Sequence, residues 1–213
     1  MKLLRNSVLF VIFTFYSSLF SQETDNSIKQ DSLKVKRFSI GVRIGIPTVV
    51  GGSAEIVLPL FNNHFAPFVN YSSFSLSFKE VETNLSFIGF GTKYYFGENG
   101  SGFFISVGRN TLKTDIIFGD LLFVDNTSLQ SFIGSGGTLL KINTSDIKIG
   151  IKTVGAFYFL FELGYGIGKI PDELKFTATS NGISDSFIEE VPPIPGLGSN
   201  GVLFGNVGFG LSF

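Results

Sequence analysis

His64 is the only histidine in the chain, and cysteine is absent. These two facts remove most ordinary routes to catalysis. A Ser–His–acid arrangement needs an imidazole beside its hydroxyl. His64 instead ends the short string Phe61-Asn-Asn-His64 between two apolar segments, where a solvated turn residue is expected. Disulfides, thiol nucleophiles and thiolate metal sites all need a cysteine, and one imidazole is a poor start for a transition-metal site. Gly164-Tyr-Gly166-Ile-Gly168 has the spacing of a nucleotide-binding turn, but no helical pattern follows it and its glycines share one parity. Strand packing is the better reading. No catalytic, cofactor-binding or metal-binding residue is expected.

The chemistry that remains lies in seven charges: Arg43, Lys93, Lys148 and Lys152 against Glu55, Asp146 and Glu162. Each stands at the non-apolar parity of an alternating segment, so all seven would point to one side of a sheet. If that side is interior, the charges must pair or carry a desolvation cost of several kcal/mol. An ion-pair core that fills the interior is one reading; a gate or polar solute path is the other.

The elements that place these charges read as strands. Phe38, Ile40, Val42, Ile44 and Ile46 alternate with Ser39, Gly41, Arg43 and Gly45. Pro47 and Gly51-Gly52 are read as a turn before a second strand carrying Ala54, Ile56, Leu58 and Leu60. A third strand, residues 65–77, changes parity between Tyr71 and Phe74, and a β-bulge near Ser72-Ser73 is the expected cause. A polar loop at 79–84 precedes a fourth strand ending in Tyr94-Tyr-Phe96. Asn99-Gly100 then marks a hairpin, and a fifth strand carries Phe103, Ile105 and Val107. Residues 110–143 read as a long irregular stretch. Ile147, Ile149 and Ile151 form the sixth strand, residues 159–168 the seventh, and residues 203–213 the eighth after a Pro-, Gly- and acid-rich loop at 169–199.

The expected fold is therefore all-β: an eight-stranded antiparallel up-and-down transmembrane β-barrel over residues 37–213. Phe and Gly number 26 each, and charged residues are 15% of the chain, which suits an aromatic outer face around a narrow interior. Connections at 61–64, 97–102 and 153–156 are short, while the opposite side carries the longest loops, as outer-membrane barrels do. An eight-stranded interior has no room for this many Phe, Ile and Tyr, so the apolar side is expected to face lipid. A secreted lipocalin-like barrel, with the faces reversed, is the alternative. Residues 1–21 read as a cleaved signal peptide, with Lys2 and Arg5 ahead of an apolar run from Val8 to Phe20, and cleavage is expected near Ser21. An uncleaved inner-membrane anchor is the rival. Residues 22–36 read as a flexible periplasmic segment.

Ser21-Gln-Glu23, Ile149-Gly-Ile-Lys152, Phe161-Glu-Leu-Gly-Tyr-Gly166 and Val207-Gly-Phe-Gly-Leu-Ser-Phe213 together resemble the small outer-membrane β-barrel domain proteins of Bacteroidota. The shape is similar to OmpA/OmpX-type eight-stranded barrels. Unlike full-length OmpA-type proteins, the chain is expected to stop at its barrel, without a peptidoglycan-binding domain. The resemblance implies location in the cell outer membrane rather than an activity. It implies contact with outer-membrane lipid and lipopolysaccharide, and it makes Phe209, Leu211 and Phe213 a signal for the barrel-assembly machinery.

The expected role is structural or interactive, with a narrow pore as alternative and a lipid-modifying enzyme behind both. Tyr94, Phe96, Phe157, Tyr158 and Phe159 read as an interfacial girdle. Envelope partners would be met through residues 110–143 and 169–199. The first contains the apolar strings Ile116-Ile-Phe118 and Leu121-Leu-Phe-Val124; the second contains Asp172, Glu173, Asp185, Glu189 and Glu190 with Pro192, Pro193 and Pro195. A net charge of -1 argues against nucleic acid.

Overall fold

Period-two alternation buries one face of each strand only if the sheet closes on itself or packs on another layer. Here it closes. The computed structural model describes residues 35–213 apart from 79–80, 125–130, 172, 181–182, 191–196 and 199. The expected signal peptide at 1–21 and nearly all of the 22–36 segment lie outside the described residues. Val35, at the end of that segment, packs against an apolar cluster of the interior.

Eight strands form the ring: β1 (Phe38–Ile46), β2 (Val49–Ile56), β3 (Phe65–Phe78), β4 (Val81–Tyr95), β5 (Gly102–Val124), β6 (Ser131–Lys152), β7 (Phe157–Ile167) and β11 (Gly201–Ser212). Each pairs antiparallel with the next, and β11 pairs with both β7 and β1, from Ser39↔Ser212 to Ile46↔Gly205. A hairpin of β8 (Glu173–Ser180) and β9 (Ile183–Glu190) extends the sheet from β6, and the two-residue β10 (Leu197–Gly198) lies beside β11. At the Asn99-Gly100 turn both residues have positive φ, 64° and 66°, the conformation that this dipeptide adopts readily.

Several expectations change. Gly51 and Gly52 are strand residues opposite Arg43 and Val42, and the chain turns earlier, at Pro47-Thr48. Leu58 and Leu60 lie past the end of β2. The stretch at 110–143 is not an irregular loop: β5 and β6 run 23 and 22 residues and pair through it, with one register shift between Phe118 and Leu121. Residues 81–84 belong to β4 rather than to a loop. The stretch at 169–199 contains the β8–β9 hairpin. There is no bulge at Ser72-Ser73, because β3 pairs with β4 without a break from Phe65↔Tyr94 to Phe78↔Val81.

The parity change has another cause. On β3 the outward residues pass from Val69 and Tyr71 to Ser73, Ser75 and Ser77, while the positions of inward parity pass from the buried Asn70 and Ser72 to Phe74 and Leu76, which are exposed. On β5 the outward series passes from Val107 to Arg109, Thr111 and Lys113 as the inward series passes from Asn110 to Leu112. β6 does the same, with Ile147 giving way outward to Ser145, Asn143 and Lys141 and Asp146 giving way inward to Ile142 and Leu140. Side-chain direction is continuous, and on β5 and β6 the polarity of the two faces inverts over these positions before outward apolar residues return at Ile117 and Leu139.

Within the ring, inward positions are tightly filled. A Cβ on Gly164 would collide with the Lys148 side chain and the Ile147 carbonyl oxygen, whereas one on Gly52 would meet nothing within 4 Å. Gly164→Val is therefore expected to destabilise the barrel by about 1–3 kcal/mol, and Gly52→Val by much less. Urea unfolding of both variants in one solubilising medium checks this.

Candidate functional site

All seven charges singled out in the sequence are buried. Their strands turn them inward because each shares parity with glycines, serines or a buried aromatic. Leu160 is 6% exposed and Phe159 57%, which fixes the two faces of β7 and with them Glu162 as interior. The exposed outer face carries Ile40, Val42, Ile44, Ile88, Phe90, Ile149, Phe161 and Leu163, and on the last strand Val207, Phe209, Leu211 and the terminal Phe213.

Inside, four cations meet three carboxylates. Glu55 receives two of them, Lys93 and Lys152, the second at 2.8 Å. The hydroxyl of Tyr95 donates to the same carboxylate at 2.9 Å. Lys152 also donates to Ser39 Oγ at 2.8 Å, and Ser39 bonds Ser212 across the β1–β11 seam at 2.9 Å. Arg43 pairs with Glu162, which accepts from Asn206 Nδ2 at 3.0 Å; Thr48 donates to Asn206 Oδ1 at 2.8 Å. Lys148 pairs with Asp146 at 2.7 Å, and Asn110 donates to Asp146 at 2.5 Å.

Aromatic rings complete the cages. Lys93 lies 4.8 Å from the Phe104 centroid, Lys148 4.8 Å from Phe204, and Lys152 4.7 Å from Tyr158. A desolvated cation over a ring face is favourable by about 2 kcal/mol, which offsets part of the cost of burial. Sequence reasoning missed these partners: Tyr95, Ser39, Asn206, Asn110, Phe104 and Phe204. Their signal was present, because each has the inward parity of its strand.

The ionic belt is bounded on both sides by apolar packing. Val57, Ala66, Tyr95, Phe104, Tyr158 and Leu160 cluster towards the short-turn end. Phe87, Leu112, Leu140, Ile142, Ile170, Leu174, Val202 and Phe204 cluster towards the other, with Phe87 and Phe204 reaching across the barrel to 6.2 Å between centroids. Ile170 and Leu174, from the stretch after β7, help to cap this end. Phe118, in one apolar string of 110–143, meets Phe176 of β8 at 5.8 Å. The side chains of Leu121 to Val124, and those of Asp172, Asp185, Glu189, Glu190 and the three prolines, lie outside the described residues.

Two expectations need correction here. Tyr158 is not part of an outer girdle: it is buried, because its parity on β7 is inward. Tyr94, Phe96, Phe157 and Phe159 do lie outward, with Tyr94 and Phe96 edge to face at 5.3 Å. His64 is half-buried rather than solvated. Its Nδ1 lies 2.6 Å from the Tyr95 carbonyl oxygen, which requires Nδ1–H as donor, and its ring stacks on Tyr94. That imidazole joins a turn to a strand. Among the described residues no group of three or more His, Asp or Glu is placed to hold a metal ion.

No protein-family model matches the chain, and no curated protein matches it. Among solved structures, the crystal structure of a major outer membrane protein from Thermus thermophilus aligns with 83% of this chain and 98% of that one. The TM-score is 0.43 at 9% sequence identity. A likeness at that level says nothing further of what this chain does.

Removing one partner of a buried pair leaves an uncompensated charge, at a cost of about 3–5 kcal/mol. Glu162→Gln keeps the shape and the Asn206 contact but strands Arg43. It is expected to lose stability on that scale, and Arg43→Met in the same chain is expected to restore most of the loss. Denaturant titration of the two single variants and the double variant measures the coupling.

Proposed function

We propose that the chain is an integral β-barrel of a Gram-negative outer membrane, with a structural or interaction role and no catalytic activity. The polarity inversion along β5 and β6 carries this reading. A strand crossing from hydrocarbon into water must exchange its outward apolar residues for polar ones at the boundary. On β5 and β6 the inward residues are then free to become apolar, and Leu112, Leu140 and Ile142 pack in a buried cluster there. β7 gives the matching length: its 11 outward-to-inward alternating residues, at a rise of about 3.3 Å and a tilt of about 40°, span roughly 25 Å of barrel height. An apolar belt around a whole barrel far exceeds the few hundred Å² that soluble proteins leave exposed.

The positively charged, apolar leader at residues 1–21 supports export to that membrane, with the short turns on the periplasmic side. Phe209, Leu211 and Phe213 alternate outward at the end of the last strand, as a signal for the assembly machinery would require. The quoted motifs support kinship with the small Bacteroidota barrels. Envelope partners would meet the extension formed by residues 110–143 and 169–199, where β5 and β6 rise past the ring and β8–β9 adds an edge. The two apolar clusters and the paired charges between them support a filled lumen rather than a solute path.

Expressed with its leader in a Gram-negative host, the protein is expected in the outer-membrane fraction after a urea wash. Recovery as a soluble periplasmic protein would contradict the reading. Val207→Arg, on the outward face of β11, is expected to cost about 2–4 kcal/mol in folding into lipid vesicles. In planar bilayers the wild-type protein is expected to give no stable conductance step.

A further inference from the structure

Three cations on the outer face are used neither by the ionic belt nor by the apolar band. Arg109 and Lys113 on β5 and Lys141 on β6 all point outward and are exposed. The register sets Lys113 directly opposite Lys141, and Arg109 opposite Ser145. Like charges directly opposite on one sheet face repel each other, and none of the three has a carboxylate partner among the described residues. The nearest acid on this face, Asp115, is the next outward residue of β5 after Lys113 but makes no ion pair with any of the three, and Glu82 accepts from Asn84 at 3.1 Å. Gly168 packs beside Asn143 and Thr144, so the exposed Lys169 that follows adjoins the same patch.

The position is as informative as the charge. Arg109 pairs across the sheet with Phe90 of β4, and Ser145 with Ile167 of β7. A groove of about 440 Å³ runs over these residues, with Phe90 and Ile167 as apolar walls and Arg109, Thr111, Asn143 and Ser145 between them. Thr111 and Asn143 are already bonded to each other at 2.9 Å, so the groove's strong free donor is the Arg109 guanidinium, with Lys113 and Lys141 each two residues farther along their strands, just beyond the groove's lining. An amphiphile fits this pattern: apolar chains against the band and an anion at its upper boundary, bridging ammonium groups that otherwise repel. Such placement is how basic residues at a bilayer surface engage anionic headgroups.

We propose that Arg109, Lys113 and Lys141 form a docking site for the phosphate-bearing headgroup of a lipid in the leaflet on the long-hairpin side. The proposal rests on the membrane reading above and adds a lipid class and its ligands. The site takes a phosphate monoester or a cluster of phosphates attached to acyl chains, and it discriminates against zwitterionic lipid.

The test uses the full mature barrel in two vesicle preparations, phosphatidylcholine alone and phosphatidylcholine containing phosphatidic acid. Lipid retained after detergent extraction is read by native mass spectrometry. The wild-type protein is expected to retain phosphatidic acid over phosphatidylcholine by on the order of tenfold or more. Arg109→Gln with Lys113→Gln and Lys141→Gln is expected to abolish that preference, Lys113→Gln alone to weaken it, and Lys36→Gln, at the other rim, to leave it intact. Equal retention of the two lipids, or a preference that survives in the triple variant, would overturn the proposal while the membrane reading stands. Competition by inorganic phosphate at the concentration of the lipid would overturn the assignment to a lipid. Failure to insert into either vesicle would overturn the membrane reading and this site with it.

Discussion

An eight-stranded ring encloses about one layer of side chains, and that narrowness governs the rest of the molecule. Two faces compete for the inside, and only one fits. The glycine-, serine- and charge-bearing face closes around a filled centre, with Lys148 folded against Gly164 and Phe104 against Gly150. The face bearing Phe159, Phe161, Val207 and Phe209 is too large for the same space and is left outside. Closing the barrel therefore decides which solvent the outer wall must meet. Each strand of the ring pairs with a neighbour on both sides, and closure of this kind is what lets a β wall lie in hydrocarbon without a free sheet edge.

Charge inside is the consequence. Once the polar face is interior, four cations and three carboxylates must be paired without bulk water. Glu55 is shared by two lysines, helped by the Tyr95 hydroxyl, so the belt keeps one formal positive charge. Arg43 with Glu162, and Lys148 with Asp146, take the other two cations. The Glu55 and Arg43 pairs tie strands far apart in sequence, β2 to β4 and β6, and β1 to β7, whereas Lys148 and Asp146 pair within β6. Buried pairs of this kind add little net stability over a well-packed apolar core, yet a mispaired register would leave them bare. Their contribution is to the choice of register more than to its depth.

The eight strands, their order and the inward parity of all seven charges were legible from alternation alone, because the pleat allows one pattern over most of each strand. The errors share a single origin. Alternation was read as if one face stayed apolar throughout, so the exchange at Ser73 and Phe74 looked like a bulge. The exchange beyond Val107 likewise looked like the end of a strand. In fact Leu112, Leu140 and Ile142 are inward residues of continuing strands. A sequence window has no marker for the height at which the polarity of the two faces inverts, and so does not distinguish a slipped register from an inverted one. The partners of the ionic belt were missed for a related reason. Asn206, Ser39 and Tyr95 are ordinary residues taken singly, and only closure of β11 onto β1 and β7 brings them to the charges.

The central claim, that hydrocarbon meets the Phe- and Ile-bearing wall, is tested most directly by spin labels. The chain has no cysteine, so Phe161→Cys, Leu160→Cys and Thr111→Cys each provide one clean attachment point in vesicle-reconstituted protein. Collision rates with oxygen and with a water-soluble nickel chelate then report the medium at each. The account predicts oxygen-rich, nickel-poor collisions at 161, neither collider at 160, and rising nickel access at 111. High nickel access at 161 would mean that this wall faces water, and would contradict the account at its base.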